Sequence, residues 1–118
     1  MTHYTGGCHC GQIAFEVEPE SDFTEAMVCN CSHCSMKGFR LAFVPRDQFN
    51  ITKGDGSWST YHFNKGAIDH NFCPKCGVQP FGYGKMPDGS EVAAINLNCV
   101  DVLDAAALPV NEVDGKNY

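Results

Sequence analysis

The stretch Cys73-Pro74-Lys75-Cys76-Gly77 decides the predicted fold, because it places two thiols at the ends of one tight turn. The backbone N–H groups of such a turn point at both sulfurs, and Gly77 permits the positive φ that closes it. Zn²⁺ takes four ligands in a tetrahedron, with sulfur about 2.3 Å from the ion. The stretch therefore looks like a zinc knuckle that supplies two of the four ligands.

A second pair of cysteines, Cys8 and Cys10, stands near the start of the sequence. Side chains at positions i and i+2 of a strand point to the same face. These two thiols can therefore hold one ion from the end of a strand. Two such pairs complete one tetrahedral site.

Three further cysteines, Cys29, Cys31 and Cys34, lie close together in the sequence. They can reach one ion but leave its fourth position free. Structural zinc sites are closed, whereas zinc sites that carry out chemistry keep one position open. The eighth cysteine, Cys99, can equally close this second site. Spacing alone decides neither this point nor which groups of cysteines share an ion.

Other uses of the cysteines fit the sequence less well. Disulfides are disfavoured, because Cys-x-Cys pairs are poorly placed to bridge each other and a cytoplasmic chain keeps its thiols reduced. An iron–sulfur cluster stays open as an alternative, since thiolates alone do not exclude it. We expect His9, His33 and His70 to contact solvent or to orient the ligands rather than to bind the ion.

Length, composition and charge set the broad class of the protein. The 118 residues predict one domain over residues 1–118. No run approaches the ~20 apolar residues of a membrane helix. Residues 1–5 lack the basic start and apolar run of a signal peptide, so we expect no membrane partner and a cytoplasmic location. The net charge of -6 and the lack of a basic stripe argue against a nucleic-acid partner.

Short apolar runs separated by glycine and proline predict a mainly β fold. The clearest strand covers residues 12–18, where Ile13, Phe15 and Val17 share one face. Other elements are less sharply marked. They are strands at 40–44 and 49–52, hairpins 58–63/67–72 and 79–83/91–97, a helical turn at 45–48 and a short helix at 32–38.

Taken together, the cysteine motifs resemble a known family. Gly7-Cys8-His9-Cys10-Gly11, then Cys29-Asn30-Cys31-Ser32-His33-Cys34, then Phe72-Cys73-Pro74-Lys75-Cys76-Gly77 occur in this order and at these intervals. They are similar to the motifs of the glutathione-dependent formaldehyde-activating enzyme family, also known as the centromere protein V/GFA domain. The resemblance runs from about Gly6 to Val113, which is nearly the whole chain.

The resemblance implies a fold, a pair of metal sites and an activity. The implied fold is several short coiled antiparallel β-sheets held by two zinc ions. One ion is implied to be structural, on Cys8, Cys10, Cys73 and Cys76. The other is implied on Cys29, Cys31 and Cys34, with its fourth place open to solvent or substrate. The implied activity is that of S-(hydroxymethyl)glutathione synthase, a carbon–sulfur lyase that joins glutathione to formaldehyde.

A zinc ion held by three thiolates is electron-rich, so its bound water ionises less readily than water on a zinc held by imidazoles. A fourth thiol suits such a site better, because zinc lowers the pKa of the thiol and holds it as a thiolate. We therefore expect a small-molecule thiol such as glutathione to add to a small aldehyde. His33 and His70 are candidates for the proton donor, and no residue is assigned.

Two rival functions differ in class from this one. A zinc nucleobase deaminase needs a glutamate beside the first ligand and a Pro-Cys-x-x-Cys pair. Here the order is Cys73-Pro74 and no Cys-x-Glu occurs, which argues against it. The remaining alternative is a non-enzymatic binding module in which both zinc sites are structural.

Overall fold

The computed structural model describes residues 3–30, 32–62, 68–86, 88–101 and 103–113. The described residues form a mainly β fold with one short helix, α1 (Ser32–Lys37). The strands are β1 (Tyr4–Gly7), β2 (Ala14–Val17), β3 (Ala26–Cys29), β4 (Leu41–Pro45), β5 (Phe49–Lys53), β6 (Ser59–Tyr61), β7 (Asp69–Phe72), β8 (Phe81–Lys85), β9 (Glu91–Asn96) and β10 (Val110–Val113). Short 3₁₀ turns occur at Arg46–Gln48, Leu97–Cys99 and Ala105–Ala107.

A small antiparallel sheet has the strand order β1-β2-β5. Its central strand is the one that the sequence marks most clearly. Ile13, Phe15 and Val17 are each fully buried, while Ala14 and Glu16 between them are partly exposed. The alternation places one face of the sheet in the core, as period-two patterning predicts.

A large sheet has the strand order β10-β3-β4-β9-β8-β7-β6. Both predicted hairpins are present as antiparallel pairs, β6 with β7 and β8 with β9. The predicted turn at 64–66 and residue 87 of the other turn lie outside the described residues. Among those described, no helix is long and apolar enough to cross a membrane.

The expectation of antiparallel sheets alone was wrong at one edge, because β10 pairs with β3 in parallel. Parallel neighbours need a long crossover between them. Here the crossover follows β9 and runs through the 3₁₀ turns at Leu97–Cys99 and Ala105–Ala107. The strand itself is exposed along most of its length, so its residues carry no pattern that would have revealed its direction.

Aromatic rings join the two sheets in the core. Phe49 of the small sheet lies 5.1 Å, centroid to centroid, from Phe81 of the large sheet. Phe15 lies 5.2 Å from Phe49 on one side, and Trp58 lies 4.9 Å from Phe81 on the other. Aromatic pairs of this kind contribute about 0.5–1.5 kcal/mol each beyond the area they bury. The rings therefore hold the sheets together beside the cysteines.

Candidate metal centre

Four thiols meet at one edge of the two sheets, and we call them the four-cysteine cluster: Cys8, Cys10, Cys73 and Cys76. Their Sγ atoms all lie within 4.8 Å of one another. The Cys8–Cys10 and Cys10–Cys73 sulfur separations are 3.7 Å and 3.6 Å. Four sulfurs at the corners of a tetrahedron of ~2.3 Å radius lie ~3.8 Å apart. The donors thus have the number, the type and the spacing that fit one thiolate-preferring metal ion.

Glycine and two backbone hydrogen bonds form the turn that carries Cys73 and Cys76. The Gly77 N–H donates to the Cys73 carbonyl at 2.8 Å, and the Cys73 N–H donates to the Val78 carbonyl at 2.9 Å. Gly77 has a φ of 80°, a conformation that residues with a Cβ rarely adopt. The knuckle expected from the sequence is therefore present.

The other pair of cysteines reaches the cluster by a different route from the expected one. Cys8 and Cys10 do not share a strand face: β1 ends at Gly7, and His9 and Cys10 lie in a turn. The Cys8 N–H donates to the Ile13 carbonyl at 3.0 Å, and Gly11 has a φ of 82°. The pair converges because the chain turns back on itself, much as it does at the knuckle.

Backbone amides stabilise negative charge on two of the sulfurs. The Val78 N–H, followed by the Cys10 N–H, lowers the pKa of the Cys76 thiol to about 6. Burial raises the pKa of Cys8, but the Ile13 N–H, which lies 3.3 Å from its sulfur, and the neighbouring thiols outweigh burial and lower it. Thiolate is the form that binds metal, so these amides prepare the cluster for a cation.

The other sulfurs of the cluster need a cation before all four can ionise. The Gln12 amide lowers the pKa of Cys10, but burial and the adjacent thiols Cys73 and Cys8 raise it to about 11. Like charges at such short range disfavour a second ionisation. A divalent ion between the sulfurs removes that penalty, which is a further reason why the residues fit a metal.

Cys99 lies beside the four-cysteine cluster without belonging to it. Burial raises the pKa of Cys99 to about 12, and the charges that raise it further are those of Cys8 and Cys76. Its neighbour Val100 forms a bridge with Gly6 of β1. A Cβ built on Gly6 would meet the Cys99 carbonyl oxygen, so this segment packs directly on the strand that leads to Cys8.

The second group of predicted ligands is described in part. Cys29 ends β3 and is half-buried, while Cys34 is buried in α1. Cys31 lies outside the described residues. We call residues 29–34 the cysteine loop, and its role as a three-thiolate site stays a prediction.

A group of rings lies against the cysteine loop, and sequence reasoning missed it. The His33 ring centroid lies 4.2 Å from that of His70 and 5.6 Å from that of Tyr61, with the tyrosine stacked at 18°. Phe39 lies 5.7 Å from His33. We call His33, Tyr61 and His70 the ring cluster. Single histidines in a sequence carry no signal that predicts which of them will stack in the fold.

Burial lowers the pKa of both histidines of the ring cluster. Burial, followed by His33 and His62, lowers the pKa of His70 to about 4. Burial and the charge of Lys37 also lower the pKa of His33. Burial therefore favours the neutral form of both rings, and their role as proton donors stays a prediction.

A cavity elsewhere among the described residues is acidic. Its volume is about 570 Å³, and its lining includes Glu16, Glu18, Glu20 and Asp47. None of the lining residues is a cysteine. A cavity of this charge repels carboxylate-bearing molecules such as glutathione, so the cysteines and not the cavity mark the candidate site.

The family model described as glutathione-dependent formaldehyde-activating enzyme matches residues 3–113. The chain belongs to this family. Within it, a Phaeosphaeria nodorum protein named "Putative glutathione-dependent formaldehyde-activating enzyme" is 33% identical over an alignment of 87 residues, and the match covers 68% of this chain and 45% of that protein. A Talaromyces marneffei protein of the same name is 29% identical over 79 residues, 64% of this chain and 42% of that protein.

A solved structure is similar over nearly the whole chain. The crystal structure of a Rhodobacter sphaeroides protein has a TM-score of 0.76 and 25% identity, and the match covers 91% of this chain and 99% of that one. The fold of this family member is therefore also found in a crystal. The chain spans less than half the length of the curated relatives it matches.

Proposed function

We propose that this family member is a zinc-dependent, carbon–sulfur lyase-type enzyme that adds a thiol such as glutathione to formaldehyde or another small aldehyde. The observation that carries the proposal is that the four-cysteine cluster is complete without Cys29, Cys31 and Cys34. Those three thiols are thus left for a second centre. Family membership supports the choice of thiol and aldehyde.

In this proposal the four-cysteine cluster holds a structural zinc ion. Its four thiolates leave no position for a substrate, which is the arrangement of structural sites. The cluster joins parts of the chain that are far apart in sequence, since Cys10 and Cys73 are 63 residues apart. Residues 1–118 are proposed to fold as one domain around it.

The proposed second zinc ion would be held by Cys29, Cys31 and Cys34. When bound, an ion of this kind lowers the pKa of a thiol in its fourth position and holds it as a thiolate. Thiols stay reduced in the cytoplasm, which is where the proposal places the protein.

The reaction forms one carbon–sulfur bond. The sulfur of the cosubstrate attacks the carbonyl carbon of the aldehyde, and the electrons of the C=O π bond move to the oxygen. The thiol has lost its proton to solvent, and the oxygen takes one from solvent.

The test is turnover of formaldehyde and glutathione by the zinc-loaded chain, followed by NMR of the S-hydroxymethyl product. Addition also occurs without a catalyst, so the rate is compared with that of Cys34→Ser, whose fold is checked by its melting temperature. We expect the wild type to exceed the background and Cys34→Ser to match it. A wild-type rate equal to the background would leave the alternative, a non-enzymatic zinc-stapled binding module.

A further inference from the structure

Buried polar side chains form a line that neither the metal cluster nor the proposed reaction uses. Among the described residues the buried polar side chains include His70, Gln79 and Asn96, each less than a tenth exposed. The Asn96 side-chain amide donates to the backbone carbonyl of Gln79 at 3.0 Å. The Gln79 side-chain amide donates to Nδ1 of His70 at 3.4 Å. Buried polar groups are strongly unfavourable when unpaired, so each bond of this line fixes an orientation.

The hydrogen bond between Gln79 and His70 joins the segments on either side of the knuckle, the turn from Cys73 to Cys76. His70 lies in β7 before this turn, and Gln79 lies after the turn, just before β8. The backbone bond from Cys73 N–H to the Val78 carbonyl lies in the same place. Two hydrogen bonds thus hold the segments on either side of the turn together, and one of them ends on the His70 ring.

The His70 ring also contacts the cysteine loop, through His33. The His70 ring packs on His33 with a centroid separation of 4.2 Å. His33 precedes Cys34 in α1, so the same helical turn carries this ring and that thiol. Tyr61, from the strand paired with β7, stacks on another side of His33.

The orientation of the His70 ring follows from its partner. An amide nitrogen donates and does not accept, so Nδ1 of His70 is the acceptor and the ring hydrogen is on Nε2. This assignment leaves one tautomer. Packed interiors have low compressibility and transmit strain, so a displaced His70 ring would press on the His33 ring that it contacts.

We infer that His70 is a positioning residue that couples the four-cysteine cluster to the cysteine loop: Gln79 fixes its imidazole, and the imidazole fixes His33 and with it Cys34. The inference rests on the proposed function only in taking the cysteine loop as the reactive group of cysteines. The coupling between the two groups of thiols is itself measured without following turnover.

The test measures how fast iodoacetamide alkylates each cysteine of the zinc-loaded chain, by peptide mass spectrometry. The variants are Gln79→Leu, which removes the donor, and His70→Phe, which keeps a ring but removes the acceptor. We expect Cys34 to be alkylated at least about fivefold faster relative to Cys73 in both variants, the lower end of typical coupling between sites. The double variant should add little to either single change, because both act through one bond.

Thr60→Val is the matched control. It removes the 2.8 Å hydrogen bond from Thr60 to Asn71, the neighbour of His70 in the same hairpin, and should leave the Cys34 to Cys73 ratio within about twofold because it does not touch the coupled pair. An unchanged ratio in Gln79→Leu and His70→Phe would overturn the inference. So would an equal rise at all cysteines, which is the pattern of global unfolding.

The cobalt spectrum and the alkylation ratio are both measured without turnover, so they test the coupling separately from the proposed function. With cobalt in place of zinc, the thiolate-to-metal absorption of the cysteine loop should change in His70→Phe, while that of the four-cysteine cluster is kept. If the wild type shows no thiol addition, the proposed function fails, and the alkylation ratio still decides the coupling. If thiol addition occurs and the ratio does not move, the coupling fails alone.

Discussion

The sulfurs of Cys10 and Cys73 lie 3.6 Å apart although 63 residues separate them in the sequence. One comes from the turn after β1 in the small sheet, and the other from the turn between β7 and β8 in the large sheet. A metal ion between them closes a long loop of chain. An ion in the four-cysteine cluster would therefore raise the free energy of unfolding more than an ion in the cysteine loop, whose thiols are close together in the sequence.

Loss of one ligand from the four-cysteine cluster should unfold the protein. A structural zinc ion contributes about 10–16 kcal/mol to folding, which matches or exceeds the ~5–15 kcal/mol total stability of a typical domain. We expect Cys76→Ser to lose one metal ion and its cooperative melting transition. Cys34→Ser should lower the melting temperature far less, because its partners are close in sequence. Equal losses in the two variants would contradict this asymmetry.

Removal of Cys99 should leave the metal content unchanged. The thiol lies beside Cys8 and Cys76, whose charges act on it, but four sulfurs already complete that cluster. We expect Cys99→Ala to keep about two zinc ions per chain and to cost about 1 kcal/mol of stability, the usual size for a point substitution. Elemental analysis and a denaturant melt measure both quantities. A loss of one ion would make Cys99 a ligand.

Glutathione should stabilise the folded chain if the cysteine loop has an open metal position. A ligand that binds only the folded state adds about 2.7 kcal/mol at a concentration of a hundred times its Kd. We expect a saturable rise in melting temperature with wild type and with Cys99→Ala, and none with Cys34→Ser. S-methylglutathione serves as the control, because it lacks the thiol. A rise of the same size with this analogue would speak against binding through sulfur.

Acid should destabilise the protein through His70. Its pKa is about 4 in the folded chain against an ordinary 6.5, because it is buried and faces His33, His62 and Lys37, with Asp69 opposing them. The unfolded chain therefore binds more protons between these values, so this stability is complete above about pH 6.5 and is lost as the pH falls toward 4. Denaturant melts should show a shallower decline in His70→Gln than in wild type from pH 7 to 5. If the stability of His70→Gln and of wild type falls equally from pH 7 to 5, protonation of His70 is not the cause of the decline.

Two glycines should respond very differently to alanine. A Cβ on Gly6 would meet the Cys99 carbonyl oxygen, with Phe15 Cζ at 2.7 Å, whereas a Cβ on Gly11 meets nothing within 4 Å. Gly11→Ala should therefore cost only the ~1–2 kcal/mol of its positive φ. Gly6→Ala should cost more, because backbone cannot yield as a side chain can. Denaturant midpoints measure the difference, and a smaller loss in Gly6→Ala would count against the packing of Cys99 on β1.

The parts of the fold that could be predicted are those with a local pattern. Ile13, Phe15 and Val17 alternate with partly exposed residues and form the buried face of β2 and of the residue before it. The cysteine pairs could be recognised because thiols at these spacings have few other uses. The direction of β10 could not be predicted, since its residues are mostly exposed and its partner, β3, is far away in sequence.

Other features depended on contacts that form only in the folded chain. A Cys-x-Cys pair fits both a strand end and a turn, and the φ of Gly11 shows that the turn is used. The contact between the His33 and His70 rings brings α1 against β7, two elements that nothing in the sequence pairs. Neither choice is encoded in residue spacing, because both follow from how the sheets pack.

The two cysteine turns have a shared backbone plan: the Cys8 N–H bonds to the carbonyl five residues on, and so does that of Cys73. Each turn can thus form by itself during synthesis, early for one and late for the other, before any ion is bound. In the proposed metal-bound chain the ion would then tie the two turns together, beside the aromatic rings that join the two sheets. The amount of folded chain would accordingly follow the supply of the ion.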